Sequence, residues 1–149
     1  MATTYTAPET SSNSLFQPFP DGMIGVRETT WVTSAAWVLN DVVQMVKVFE
    51  GERVLDVQVL METDADTNGS PAIVIAVGDG DDADRYISAS TIGQAGGFVR
   101  IGQGIDTAAE AASMRHTYTA DDTIDLKVTT APATGVAAVT VTMRVMIAG

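Results

Sequence analysis

The stretch Val139-Thr140-Val141-Thr142-Met143-Arg144-Val145-Met146-Ile147 decides the fold class. Its odd positions are all apolar and its even positions mostly polar, the period-two alternation of a strand that buries one face. Ile124, Leu126 and Val128 repeat the pattern against Asp125, Lys127 and Thr129. Further back, Val54 to Met61 puts Asp56 and Gln58 on one face and Leu55, Val57, Val59 and Met61 on the other. Val46 and Val48 alternate with Lys47 and Phe49, and Ala72 to Val77 is a continuous apolar run.

The punctuation between these runs predicts antiparallel connections. Glu50-Gly51-Glu52 reads as a short hairpin turn and Asn68-Gly69 as a turn in which glycine supplies positive φ. Ala131-Pro132-Ala133-Thr134-Gly135 separates the last two strands. Only Ser88 to Gly96 and Thr107 to Arg115 have the composition for a helical turn or two, and the second is too short to stand alone. The expected fold is all-β, an antiparallel sandwich or small jelly-roll-like barrel over residues 26–149, with a helical insertion near 107–115.

Residues 1–25 read differently. They are rich in Thr, Ser, Ala and Pro, nearly uncharged and without periodicity, and are expected to form an extended N-terminal arm. Within it Leu15-Phe16-Gln17-Pro18-Phe19-Pro20 combines aromatics with prolines that favour extended backbone and lower the entropy lost on docking. Leu15, Phe16 and Phe19 are therefore candidate contacts to another subunit. Trp31 and Trp37 join them as either core residues or interface anchors.

Composition closes several routes. At 149 residues the chain can bury a sizeable core as one domain. The absence of cysteine excludes disulfides, a thiolate nucleophile and Cys-based zinc sites. A net charge of −11 repels phosphate backbones and anionic membranes, so neither nucleic acid nor membrane is an expected partner. The apolar run Val136 to Ala148 is broken by Thr140, Thr142 and Arg144 and is too short to span a bilayer. Met1 to Thr6 lacks the basic start and apolar stretch of a secretory signal, which predicts action where the chain is made.

Chemistry-bearing motifs are few. Asp64-Ala65-Asp66-Thr67-Asn68-Gly69 has the alternating oxygen donors and glycine that open a calcium loop. The twelfth position, where an EF-hand needs a bidentate glutamate, is Ile75, so that motif fails. Asp64, Asp66 and Asn68 remain a candidate calcium hairpin, with Asp79, Asp81, Asp82 and Asp84 as further donors, although polar turns use the same residues. The expectation is no metal and no cofactor. His116, the single histidine, reads as a surface or packing residue. No serine sits in a Gly-x-Ser-x-Gly elbow, Asp121-Asp122 reads as turn chemistry, and the glycines around Gly93–Gly97 and Gly102–Gly104 match no phosphate loop. An enzyme is not expected.

Residues Asn40 to Thr130 resemble small proteins encoded beside the major capsid protein of tailed phages, the head decoration or cement family. The resemblance rests on the order of several segments: Leu39 to Val48, Gly51 with Val54 to Val57, and Asp66 to Gly69 with Pro71. It continues through Val77-Gly78-Asp79, Asp84 to Ile87, Gly93 to Gly97 and Tyr118 to Asp125. It implies a β-sandwich or barrel made in the host cytoplasm that binds the exterior of an assembled capsid, often as a homotrimer, with the major capsid protein as partner. A tail or fibre component and a calcium-dependent carbohydrate-binding module are the alternative readings.

Overall fold

The computed structural model describes residues 1–7, 18–101 and 108–149. Their strands are β1 (Thr4–Thr6), β2 (Ile24–Val32), β3 (Val42–Val48), β4 (Arg53–Met61), β5 (Val74–Gly78), β6 (Ile87–Ser90), β7 (Gly97–Arg100), β8 (Asp122–Thr130) and β9 (Thr140–Ala148). They form two sheets, β1-β3-β8-β5-β6 and β2-β9-β4-β7, packed as a sandwich. Apart from β1, which runs parallel to β3, the pairings are antiparallel.

The alternation that decides the fold class survives in the burial. Val141, Met143, Val145 and Ile147 of β9 and Ile124, Leu126 and Val128 of β8 are fully buried between the sheets. A register shift between Val54 and Asp56 changes the phase expected for β4: Val54 enters the core, Leu55 is half-buried, and Val57, Val59 and Met61 follow inward. A second shift between Gln44 and Val46 lets Met45 and Val46 both face inward. One extra residue in a bulge is enough to flip a side chain to the other face.

The connections depart from expectation. Gly51 has the expected positive φ of 87° and Glu52 N–H donates to the Phe49 carbonyl, but β3 and β4 lie in different sheets. The turn is thus an arch over the edge of the sandwich, not a hairpin. Among the described strands, only β5 and β6 are consecutive neighbours in one sheet. Ser88 to Gly96, read as capable of a helical turn or two, holds a single 3-10 turn at Ile92–Gln94, and its first residues belong to β6. Helix α1 spans Ala108–Ser113, inside the insertion read near 107–115.

The beginning of the segment read as an arm belongs to the sandwich. Thr4–Thr6 pairs with Val42–Gln44, Ala7 is fully buried, and β2 already starts at Ile24. Asp41 explains the docking of β1. One of its carboxylate oxygens accepts from Thr3 N–H at 2.7 Å and the other from Val38 N–H at 2.9 Å, which joins the chain start to the turn before β3.

Candidate functional site

Asp66, the central residue of the candidate calcium loop, is 1% exposed and its carboxylate is already occupied. Oδ2 accepts from the N–H groups of Ala72 (2.7 Å), Ala133 (2.8 Å) and Ile73 (3.3 Å), and Oδ1 from Thr134 (2.8 Å) and Asn68 (3.2 Å). Burial acts to raise its pKa, but the backbone donors outweigh it and hold the carboxyl far below the usual range. Asn68 is likewise engaged, accepting from Ser70 N–H and donating to Thr134 Oγ1. The loop is therefore a clasp between the β4–β5 and β8–β9 connections. Gly69 does not have positive φ, because the Asp66 carboxylate shapes the turn instead. Among the described residues no three histidine, cysteine or acidic side chains converge to hold a metal.

The aromatic candidates fall into separate places. Leu15 and Phe16 lie outside the described residues. Phe19 is half-buried against the core, with the Arg27 guanidinium 4.7 Å from its ring centroid and its own N–H donating to Glu52 Oε1 at 2.9 Å. Its ring fills the space beside Gly25, where a Cβ would come within 2.3 Å of it. Trp37 is 3% exposed and stacks on the half-buried Trp31 at 6.3 Å, while Tyr5 tilts against Trp31 at 5.3 Å. Trp37 is a core residue and offers no surface, whereas Trp31 and Tyr5 fasten β1 to β2.

Two buried polar networks were not visible in the sequence. Arg27, 4% exposed, and Glu52, 2% exposed, form a bidentate pair with N–O distances of 2.6 and 2.7 Å. Arg27 also donates to the Lys47 carbonyl, and Glu52 accepts from Phe49 N–H at 2.9 Å. Burial opposes the Glu52 charge, yet Arg27 and the N–H groups of Phe19 and Phe49 hold its pKa below the ordinary value. The second network centres on Asp79, which takes Arg85 Nε at 2.5 Å, Tyr118 Oη at 2.9 Å and the N–H groups of Asp81 and Asp82. Tyr86 and Tyr118 hydroxyls meet at 2.7 Å, and burial first, then the neighbouring negative charge and hydrogen bonding, drives the Tyr118 pKa upward.

His116 joins this network. Its Nδ1 lies 3.3 Å from Arg85 Nη1 and its ring packs edge-on to Tyr118 at 4.8 Å. A guanidinium only donates, so Nδ1 is the acceptor and the proton sits on Nε2. Beneath, Asp125 is pushed up to about 7 by burial and by the charges of Asp122 and Asp79. The connected tyrosines, Arg85 and Ser113, whose hydroxyl donates to the Arg85 carbonyl, lock the β5–β6 loop to the α1–β8 segment. These groups satisfy one another; they present no nucleophile with a base beside it.

What the sandwich does present is surface. Ile24 (63%), Val26 (58%) and Val32 (51%) are exposed on the outer side of β2, with Met146 beside Val26 on β9. Phe98 of β7 is exposed at the opposite edge of the same sheet. Asp56 on this outer face accepts from Gln58 and Arg100 through Oδ2, while Oδ1 is buried without a partner among the described residues.

No family model matches the chain, and no curated protein matches it. Solved structures do. The chain is similar to one in the capsid of Ralstonia phage GP4, with a TM-score of 0.79, 21% identity and 97% of each chain covered. It is also similar to one in the cyanophage Pam1 capsid asymmetric unit, with a TM-score of 0.68 and 26% identity, covering 94% of this chain and 97% of that one. The protein has the all-β sandwich fold of chains found in phage capsids, and it is a structural module, not an enzyme.

Proposed function

We propose that this protein is a decoration, or cement, subunit of a tailed-phage head, which binds the exterior of the assembled shell as a homotrimer and stabilises it through contacts with the major capsid protein. The observation that carries the reading is the end-to-end match to a chain of the Pam1 capsid at 26% identity. The match extends over 97% of that chain, so the likeness is to nearly the whole of it. The −11 charge favours an outer position over one facing the packaged genome, whose phosphates it would repel. Of the residues read as the arm, Leu15 and Phe16 are the proposed shell contacts, while β1 and Phe19 hold the segment to the sandwich.

The calcium and carbohydrate alternative is disfavoured by the five N–H groups already bonded to Asp66. The experiment is reconstitution. Purified protein is mixed with assembled heads that lack it, and the complexes are sedimented and imaged. The expected result is saturable binding with density on the outer surface at three-fold or local three-fold positions. Binding to tails alone, or no binding to heads, overturns the reading.

A further inference from the structure

Among the described residues the sandwich has four edge strands, and they are unequal. β1, β6 and β7 have three or four residues each, whereas β2 has nine. Its pairing with β9 runs from Ile24 to Val32 without a register shift, and the strand contains no proline, no lysine and no bulge. Those are three of the devices by which natural edges are blunted; a fourth, the inward-pointing charge of Arg27, is neutralised by Glu52, so β2 keeps an unbulged template for another strand.

The hydrogen-bonding parity of that edge follows from the ends of the ladder. Gly149 N–H donates to the Met23 carbonyl at one end and Thr33 N–H to the Val139 carbonyl at the other. Odd-numbered residues of β2 therefore bond to β9, and the N–H and C=O groups of Ile24, Val26, Glu28, Thr30 and Val32 point away from it. The same five residues carry the outward side chains, three of them exposed and apolar. The edge is also electrically balanced: Glu28 pairs with Arg144, and Arg27 turns inward to Glu52. In a chain of −11 charge, this is a strip where a second copy can approach without facing an uncompensated acid.

We infer that β2 pairs antiparallel with β2 of a second copy about a two-fold axis, joining two four-stranded sheets into one. The register is determined by the side chains. Setting Val26 opposite Val32 of the second copy puts Glu28 opposite Thr30, so two valine pairs are covered and no like charges meet. Shifting so that Glu28 faces its own copy is disfavoured, since like charges directly opposite destabilise a ladder. The favoured register forms about eight backbone hydrogen bonds from four facing pairs. It stands on the strand edge alone and does not depend on the virion reading; in a shell it links subunits of neighbouring trimers.

The absence of native cysteine makes a clean test. Glu28→Cys and Thr30→Cys chains are prepared separately, checked for unchanged melting, and oxidised alone and as a mixture. Facing residues of a bonded antiparallel pair sit about 5.5 Å apart at Cα, within disulfide range. The expected result is a chain-dimer band on a denaturing gel in the mixture, near absent from the Thr30→Cys chain alone, which keeps Glu28, and lost when Val26→Lys is added to both chains. Equal cross-linking by Thr30→Cys alone, no band at high protein concentration, or a band indifferent to Val26→Lys overturns the inference. So does a Val26→Lys chain that loses head binding in the absence of any cross-link, since the edge then takes a strand of the shell.

Discussion

Replacing Glu52 with glutamine should weaken the fold more than any surface change. The carboxylate accepts four N–H donors between 2.6 and 2.9 Å, two from Arg27 and one each from Phe19 and Phe49. Glutamine removes the charge and turns an amide donor toward groups that are themselves donors, while Arg27 stays buried and loses its carboxylate partner. Breaking a buried pair in this way costs about 3–5 kcal/mol. For a domain of this size that lowers Tm by roughly 6–20 °C. Urea unfolding at neutral pH, followed by the fluorescence of Trp31 and Trp37, measures it. The control is the cycle of Glu52→Gln, Arg27→Met and the double variant carrying both, in which deleting both charges should recover part of the loss, giving a coupling on the order of 2 kcal/mol. A Glu52→Gln loss under about 1 kcal/mol, or strict additivity in the cycle, would refute the reasoning. Acid should act in the same direction: because the folded pKa of Glu52 is lowered, its contribution is present above the ordinary carboxylate value and disappears as pH falls through the folded one.

Asp125 has the opposite sign. Its folded value is raised from 3.8 to about 7, so ionising it costs stability progressively across that interval and the full penalty applies above it. Asp125→Asn should therefore stabilise the protein at pH 8 by up to about 4 kcal/mol relative to its effect at pH 3, read from paired melting curves. Tyr118→Phe takes one of two donors from Asp79 Oδ2, strands the Tyr86 hydroxyl, and should cost about 1–3 kcal/mol in the same denaturation assay. Asp66→Ala should accelerate hydrogen exchange at Ala72, Ala133 and Thr134 together, while calcium or a chelator leaves the melting of the native chain unchanged; a calcium-dependent rise in Tm would restore the metal reading.

How much of this was legible depended on the distance over which each signal acts. The alternation in β8 and β9 is a local property, and it matches the structure almost residue for residue. The arches are not local: Glu50-Gly51-Glu52 makes the same turn whether the chain returns to its own sheet or crosses to the other, and the difference lies in Arg27, 25 residues from Glu52. Asp66 reads as a cation ligand because its donors at Ala133 and Thr134 are 67 and 68 residues away. His116 reads as a surface or packing residue; it is half-buried, and its partners Arg85 and Tyr118 give it a hydrogen bond that spacing could not reveal. Trp37 illustrates the limit of composition: the same residue serves a core or an interface, and only the stacked Trp31 distinguishes them.

The place of β9 between β2 and β4 has a consequence for synthesis. Both flanking strands emerge from the ribosome long before their common partner, and neither is bonded to the other. Until Thr140–Ala148 is made, the exposed valine edge of β2 has no neighbour in its own sheet and the long strand β4 has only the four-residue β7. The second sheet must therefore close after translation of that segment, and a nascent chain paused before it presents sticky strand edges to every other copy being made nearby.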